Sequence, residues 1–139
     1  MTRSATWFVG PLVMCAAFVT SGCGSSRQLQ SVTLTPASAD AQSFPGGQVP
    51  FAASGTFSKS PSPVQLTSKD VQWCVGTSTG ACMGNINPGA SVDQNGLAQC
   101  NAGFVGTANI LAGNVASMPM NPDGGAQLKT FGAAKLTCP

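Results

Sequence analysis

The stretch from Val71-Gln72-Trp73-Cys74-Val75, through Val92-Asp93-Gln94-Asn95-Gly96-Leu97, to Gly103 decides the fold. Val71, Trp73 and Val75 alternate with Gln72 and Cys74. Successive side chains of a strand point to opposite faces, so Trp73 enters a core as its anchor and Cys74 points the other way. Asn87-Pro88-Gly89 turns the chain into the short strand Ala90-Ser91-Val92. Asp93-Gln94-Asn95-Gly96 reads as a hairpin turn, with Gly96 supplying the positive φ. Leu97 to Cys100 is the return strand, and Gly103 to Gly106 is a turn. The stretch also holds Cys74, Cys82 and Cys100.

The alternation continues outward from this centre. Ser31-Val32-Thr33-Leu34-Thr35-Pro36 alternates apolar and hydroxylated residues, and Pro36 ends the pairing or marks an edge. Residues 37–44 are irregular, and Pro45-Gly46-Gly47 is a turn. From Gln48 to Phe57, Val49, Phe51 and Ala53 share a face, with Pro50 at an edge or bulge. Lys59-Ser60-Pro61-Ser62-Pro63 is a stiff, extended loop. Beyond the hairpin, Ala108, Ile110 and Ala112 share one face, and Pro119 to Gly125 is a loop. Leu128 to Cys138 is the last strand. Phe131 and Leu136 have opposite parity there, which predicts a bulge at Gly132. No helical pattern follows the leader. The expectation is an all-β fold of seven or eight short antiparallel strands, in one domain over residues 30–139.

The first 22 residues read differently. Arg3 gives a short positive region, Ala5 to Thr20 is apolar, and the small residues Ser21 and Gly22 precede Cys23. That order is a secretory signal peptide, and the apolar run is short for a membrane span. Thr20-Ser21-Gly22-Cys23 resembles a bacterial lipobox, in which the cysteine is diacylated and becomes the mature N-terminus. Thr20 departs from the aliphatic residue usual there. Lipidation of Cys23 would anchor the protein to a membrane by its acyl chains. The alternative is ordinary cleavage after Gly22 or Gly24, which would release a soluble periplasmic or secreted protein. Residues 23–29 read as a Gly/Ser tether.

Composition excludes much chemistry. The chain has no His and no Tyr, its acidic residues are all Asp, and charged residues make up 7% of it. Most side chains that enzymes use for proton transfer are therefore missing. Asp40, Asp70, Asp93 and Asp123 are scattered, so none is paired for acid–base work. The serines have no His partner and no nucleophile elbow. Ser58-Lys59 and Ser68-Lys69 read as exposed loops rather than catalytic pairs. Asp93 to Gly96 lacks the carboxylate repeat of a calcium loop. No Lys/Arg cluster suggests nucleic acid as a partner. No catalytic residue, cofactor or metal is expected.

Five segments in order resemble the group 2 bacterial immunoglobulin-like domain: Val32 to Pro36, Gly46-Gly47-Gln48-Val49, Val71-Gln72-Trp73, Val92 to Leu97 and Gly106-Thr107-Ala108-Asn109-Ile110. The similarity runs from about Gln30 to Gly113. The cysteines and the long tail beyond Gly113 are not part of that family's pattern. The resemblance implies an immunoglobulin-like sandwich and a surface location, without a shared catalytic site.

Four cysteines remain beyond Cys23, and they allow three connectivities. Export favours disulfides. Gaps of seven residues between Cys74 and Cys82, and seventeen between Cys82 and Cys100, do not fit the short paired spacing of a zinc knuckle. If the immunoglobulin-like order holds, Cys100 and Cys138 finish at the same end, and Cys74 and Cys82 flank one flexible tip. That order implies Cys74–Cys82 and Cys100–Cys138. Phe44, Phe51, Phe57, Phe104 and Phe131 are core material, or a binding anchor where one is exposed on a loop. The function expected is a non-catalytic, surface-anchored interaction or adhesion module with a protein or glycan ligand at its loop tips. The alternative is an inert envelope spacer.

Overall fold

The computed structural model describes residues 26–84, 89–116 and 125–139. The signal peptide, Cys23, the turn residues Asn87 and Pro88, and most of the 119–125 loop lie outside the described residues. The chain is all-β. The described residues form ten strands in order: β1 (Leu29–Thr35), β2 (Ser38–Asp40), β3 (Gln48–Pro50), β4 (Ala52–Phe57), β5 (Val64–Leu66), β6 (Gln72–Gly76), β7 (Ala90–Val92), β8 (Leu97–Cys100), β9 (Gly106–Val115) and β10 (Leu128–Cys138). The count exceeds seven or eight for two reasons. The expected Gln48–Phe57 strand is split at Phe51 into β3 and β4, and three-residue β2 and β5 are too short to carry a legible alternation.

One layer of the sandwich is the four-stranded sheet β2-β10-β9-β6. The other is built from β1-β4-β5 and β3-β8-β7, which are continuous through β3 and β4. At the junction the Phe51 N–H donates to Gly96 O at 2.9 Å. Apart from β2, every pairing is antiparallel. β2 lies parallel to β10 because the chain crosses between layers at Pro36-Ala37 without reversing. Pro36 has no N–H to continue the β1 ladder, and Lys135 N–H picks up Ala37 O at 3.0 Å on the other layer.

The main core fills the space between the layers. Val32, Leu34, Val49, Phe51 and Ala53 pack from one side, and Trp73, Val75, Ile110, Ala112 and Leu136 from the other. Trp73 is 5% exposed, as its place in the alternation requires. Gly96 has φ +83 and sits under that ring: an added Cβ would lie 2.3 Å from Phe51 O and 2.8 Å from the Trp73 ring. The glycine is therefore needed both for the turn and for close packing of the hairpin on the tryptophan.

Two expectations need correction. The bulge in β10 falls between Leu128 and Thr130, not at Gly132, which pairs regularly with Ala112. Phe131 and Leu136 have opposite parity because each face of this sheet has its own core. Phe131, Leu111, Leu128 and Cys82 form a second, smaller cluster on the outer face. Gly132 instead marks close approach of the layers, since a Cβ there would lie 2.6 Å from Val32 O. The tether boundary also moves. Arg27 and Gln28 are already docked: the Gln28 N–H donates to Ser58 Oγ at 3.0 Å, and Ser58 N–H donates to Gln28 O at 2.9 Å.

Candidate functional site

Strand directions give the sandwich two distinct ends. β1 enters beside the loop after β4, where the Arg27 guanidinium stacks 3.6 Å from the Phe57 ring centroid. Arg27 also donates to the carbonyls of Lys59 and Pro61. β2 runs along β10 with Asp40 opposite Thr137, so Asp40, Cys100 and Cys138 lie at the far end.

The structure brings the four described cysteines together in two pairs. Cys74 is bonded to Cys82, with Cα atoms 5.6 Å apart, and Cys100 to Cys138, with Cα atoms 5.8 Å apart. The first pair sits on the outer face of the four-stranded sheet, where Cys74 points away from the main core. It ties down the 77–82 hairpin, which bonds back through Thr77 N–H to Ala81 O and Met83 N–H to Val75 O. The second pair joins the ends of β8 and β10 at the far end.

The described aspartates each hold a turn. Asp40 Oδ1 accepts from Gln42 N–H at 2.9 Å. Asp70 Oδ2 accepts from Thr67 N–H and Thr67 Oγ1, both at 2.8 Å. Asp93 Oδ1 accepts from Leu97 N–H and Asn95 N–H, both at 2.8 Å, across the hairpin. Hydrogen bonds from the Leu97 and Asn95 backbone hold the Asp93 carboxyl below its usual range, and those from Thr67 do the same for Asp70. These contacts use the carboxylates as local acceptors at three separate places. Among the described residues, no three His, Cys, Asp or Glu side chains cluster. Ser58 Oγ takes the Gln28 N–H and so belongs to the entry end's own bonding.

A cleft of about 510 Å³ opens at the far end. One wall is a pair of consecutive 3-10 turns, Ala41–Ser43 and Pro45–Gly47, started by the Asp40 cap. The other is Gln99 to Ala102, pinned by the Cys100–Cys138 bond and by Asn101 N–H to Gly89 O at 2.8 Å. Phe44 lines the cleft while packing partly on the main core. Gln42, Gln99 and Asn101 bring amide side chains, no lining side chain is charged, and Pro139, the last residue of the sequence, completes the lining. Gln99 Oε1 is oriented by Gln48 Nε2 at 3.3 Å. Such a site suits an uncharged ligand with hydroxyl or amide groups.

None of the five phenylalanines singled out from the sequence stands free. Phe51 is buried, and Phe44, Phe57, Phe104 and Phe131 are half-buried. Phe104 is covered by Gly89, whose added Cβ would lie 2.4 Å from the ring. Val105, 76% exposed, is instead the prominent apolar side chain at the far end. Met83, Leu97 and Val115 are exposed at separate places. The cleft was not legible in the sequence, because its walls come from residues far apart in the chain and carry no periodicity or motif. No protein-family model matches this chain, and no curated protein matches its sequence.

Proposed function

We propose that this chain is an exported, lipid-anchored, non-catalytic module of the group 2 bacterial immunoglobulin-like type, which offers its far end to a protein or glycan ligand. The far-end cleft carries this reading. It lies opposite the chain entry, its walls are fixed by a disulfide and two 3-10 turns, and its lining carries three amide side chains and no charged side chain. Two disulfides in a small domain favour an oxidising compartment, which supports export. The engagement of Asp40, Asp70 and Asp93 as turn acceptors supports a binding role over a catalytic one.

The inert spacer is the second reading. It is favoured by the outward strand faces, where Gln30, Ser31, Thr33 and Thr35 of β1 and Thr137 of β10 meet solvent. It is also favoured by the scatter of the exposed apolar residues. One experiment separates the two. The exported protein and its Ala102→Trp variant, which fills the cleft, are applied to a glycan array and to envelope fractions. Binding by the first and loss of binding in the variant support the ligand reading. No binding by either supports the spacer. Intact mass of the native protein tests the anchor: diacylglycerol on Cys23 supports it, and an unmodified chain starting at Cys23 or Ser25 removes it.

A further inference from the structure

The layer built from β1-β4-β5 and β3-β8-β7 has an opening midway along it. β8 runs along β3 up to the Leu97–Pro50 pair, and β5 runs along β4 from the Leu66–Ala53 pair onward. Neither strand pairs with Phe51 or Ala52. A cavity of about 270 Å³ fills the gap, between the 67–70 turn and the 93–96 hairpin. It shares no lining residue with the far-end cleft. Trp73 lines this cavity, although the side chain is only 5% exposed. The ring edge towards the hairpin is the one that carries the indole N–H, since Cζ2 and Cη2 are the atoms an added Gly96 Cβ would meet. Within the described residues this N–H has no acceptor. It is not sealed in either, because no buried side-chain nitrogen or oxygen among the described residues lacks a partner. The donor therefore reaches solvent, and the cavity is the opening beside it.

We infer that this opening binds a single neutral sugar ring, with a sugar oxygen accepting the Trp73 indole N–H. The inference goes beyond the far-end reading and does not rest on it. The indole sets the first requirement. It can only donate, and an apolar occupant would strip it of water without replacing the bond, so the occupant must bring an oxygen. The rim sets the second. Gln65, Ser68 and Gln94 line it with side chains that make no hydrogen bond to the described residues. Their amides and hydroxyl both donate and accept, as the hydroxyls of a sugar do. Charge sets the third. No lining side chain is charged, and Asp70 and Asp93 of the flanking turns are occupied by backbone N–H groups of their own turns. Phe51 and Leu66 add apolar wall for the C–H face of a ring. The volume equals that of about nine waters, which suits one ring and not a chain.

The test uses isotope-labelled protein, purified as its cells export it and kept in a phosphocholine detergent. It is titrated with glucose, galactose or N-acetylglucosamine, with glycerol as the control. Proton–nitrogen NMR reads the indole N–H directly. The sequence has one other tryptophan, Trp7, and Trp7→Phe identifies the Trp73 signal. With one of the sugars the Trp73 signal should shift to saturation, and its hydrogen exchange should slow. Gln94→Ala should weaken that binding roughly fivefold. Ala52→Phe, at an exposed position on the cavity's mouth, should abolish it and leave the rest of the spectrum in place. If that variant does not fold, Gln94→Ala, at an exposed turn position, decides alone. A Trp73 signal that stays fixed with all three sugars, or drifts without saturating as it does in glycerol, overturns the inference. So does an affinity that Gln94→Ala leaves unchanged. Saturating shifts confined to Gln42, Phe44 and Gln99 would also overturn it, while supporting the far-end cleft as the ligand site.

Discussion

The two faces of the four-stranded sheet are buried by different means. On the inner face Trp73, Val75, Ile110, Ala112, Ala134 and Leu136 meet a whole opposing layer. On the outer face, among the described residues, Leu111, Leu128 and Cys82 are buried, with Cys74, Ala126 and Phe131 around them. Among the described residues, no strand layer lies over this second cluster. Its cover is the 77–82 hairpin and the 125–128 segment, joined through Cys82 N–H to Ala126 O at 2.8 Å and Leu128 N–H to Gly80 O at 2.9 Å. Holding so short a cover in place costs backbone entropy. The Cys74–Cys82 bond fixes that hairpin covalently. The inner face is held by packing and the outer one by a staple.

The sharpest way to break this contrast starts at Trp73. Trp73→Ala should cost about 4 kcal/mol and unfold the sandwich as a unit, read as a large drop in urea midpoint. Removing Cys100 and Cys138 together, as alanines, should cost nearly as much, about 4 kcal/mol, because that bond closes a 38-residue separation and ties the two layers at the far end. Removing Cys74 and Cys82, separated by 8 residues, should cost about 2.5 kcal/mol. Its signature should be local: faster amide exchange at Ala81, Cys82, Met83 and Leu128, with the Trp73 environment intact below the global transition. Equal exchange patterns in the two disulfide variants would erase the distinction.

The inner face was legible in the sequence and the outer face was not, for one physical reason. Val71, Trp73 and Val75, or Ala108, Ile110 and Ala112, announce a buried face by period-two alternation. Leu111 and Phe131 sit out of phase with those series, and a rule that assumes one buried face must explain them away. The bulge expected at Gly132 was that explanation. A signal was present in Leu111 itself: the run Ile110-Leu111-Ala112 is apolar at three consecutive positions, which a strand tolerates only when both its faces are covered. The short strands β2 and β5 and the far-end cleft had no such signal, since three-residue segments and cross-chain juxtapositions leave no period to read. The hairpin turn was clear from Asp93 and Gly96, but the contact of Gly96 with Trp73 depends on register between distant strands.

That contact supplies the next prediction. Gly96→Ala should cost about 2 kcal/mol, the upper part of the left-handed penalty, because the backbone at Phe51 must also give way. Gly103 has a comparable φ of +78 with nothing within 4 Å of an added Cβ, so Gly103→Ala should cost about 1 kcal/mol. The difference between them, measured by urea unfolding, isolates the packing of the hairpin on the inner core. Identical costs would mean that only the turn's φ matters there.

The smallest effect concerns the carboxylate that holds the same hairpin. The Asp93 carboxyl is held below its ordinary value of 3.8, chiefly by the backbone N–H of Leu97; burial opposes the shift, and the backbone N–H of Asn95 adds to it. The sign follows from that depression. The ionised form is favoured in the folded state, so its stabilisation is complete above about 3.8 and is lost as the pH falls through the lower folded value. Asp93→Ala should cost about 1 kcal/mol at neutral pH by removing an exposed side-chain acceptor from two backbone donors. Asp93→Asn keeps an oxygen in the same place, so it should cost less than Asp93→Ala at neutral pH and should flatten the acid limb of the stability curve. Because the turn lies on the inner-core side, under Trp73, either change should move the Trp73 unfolding midpoint while leaving amide exchange in the 77–82 hairpin untouched. Faster exchange there, with an unchanged Trp73 midpoint, would place Asp93 in the wrong half of the comparison.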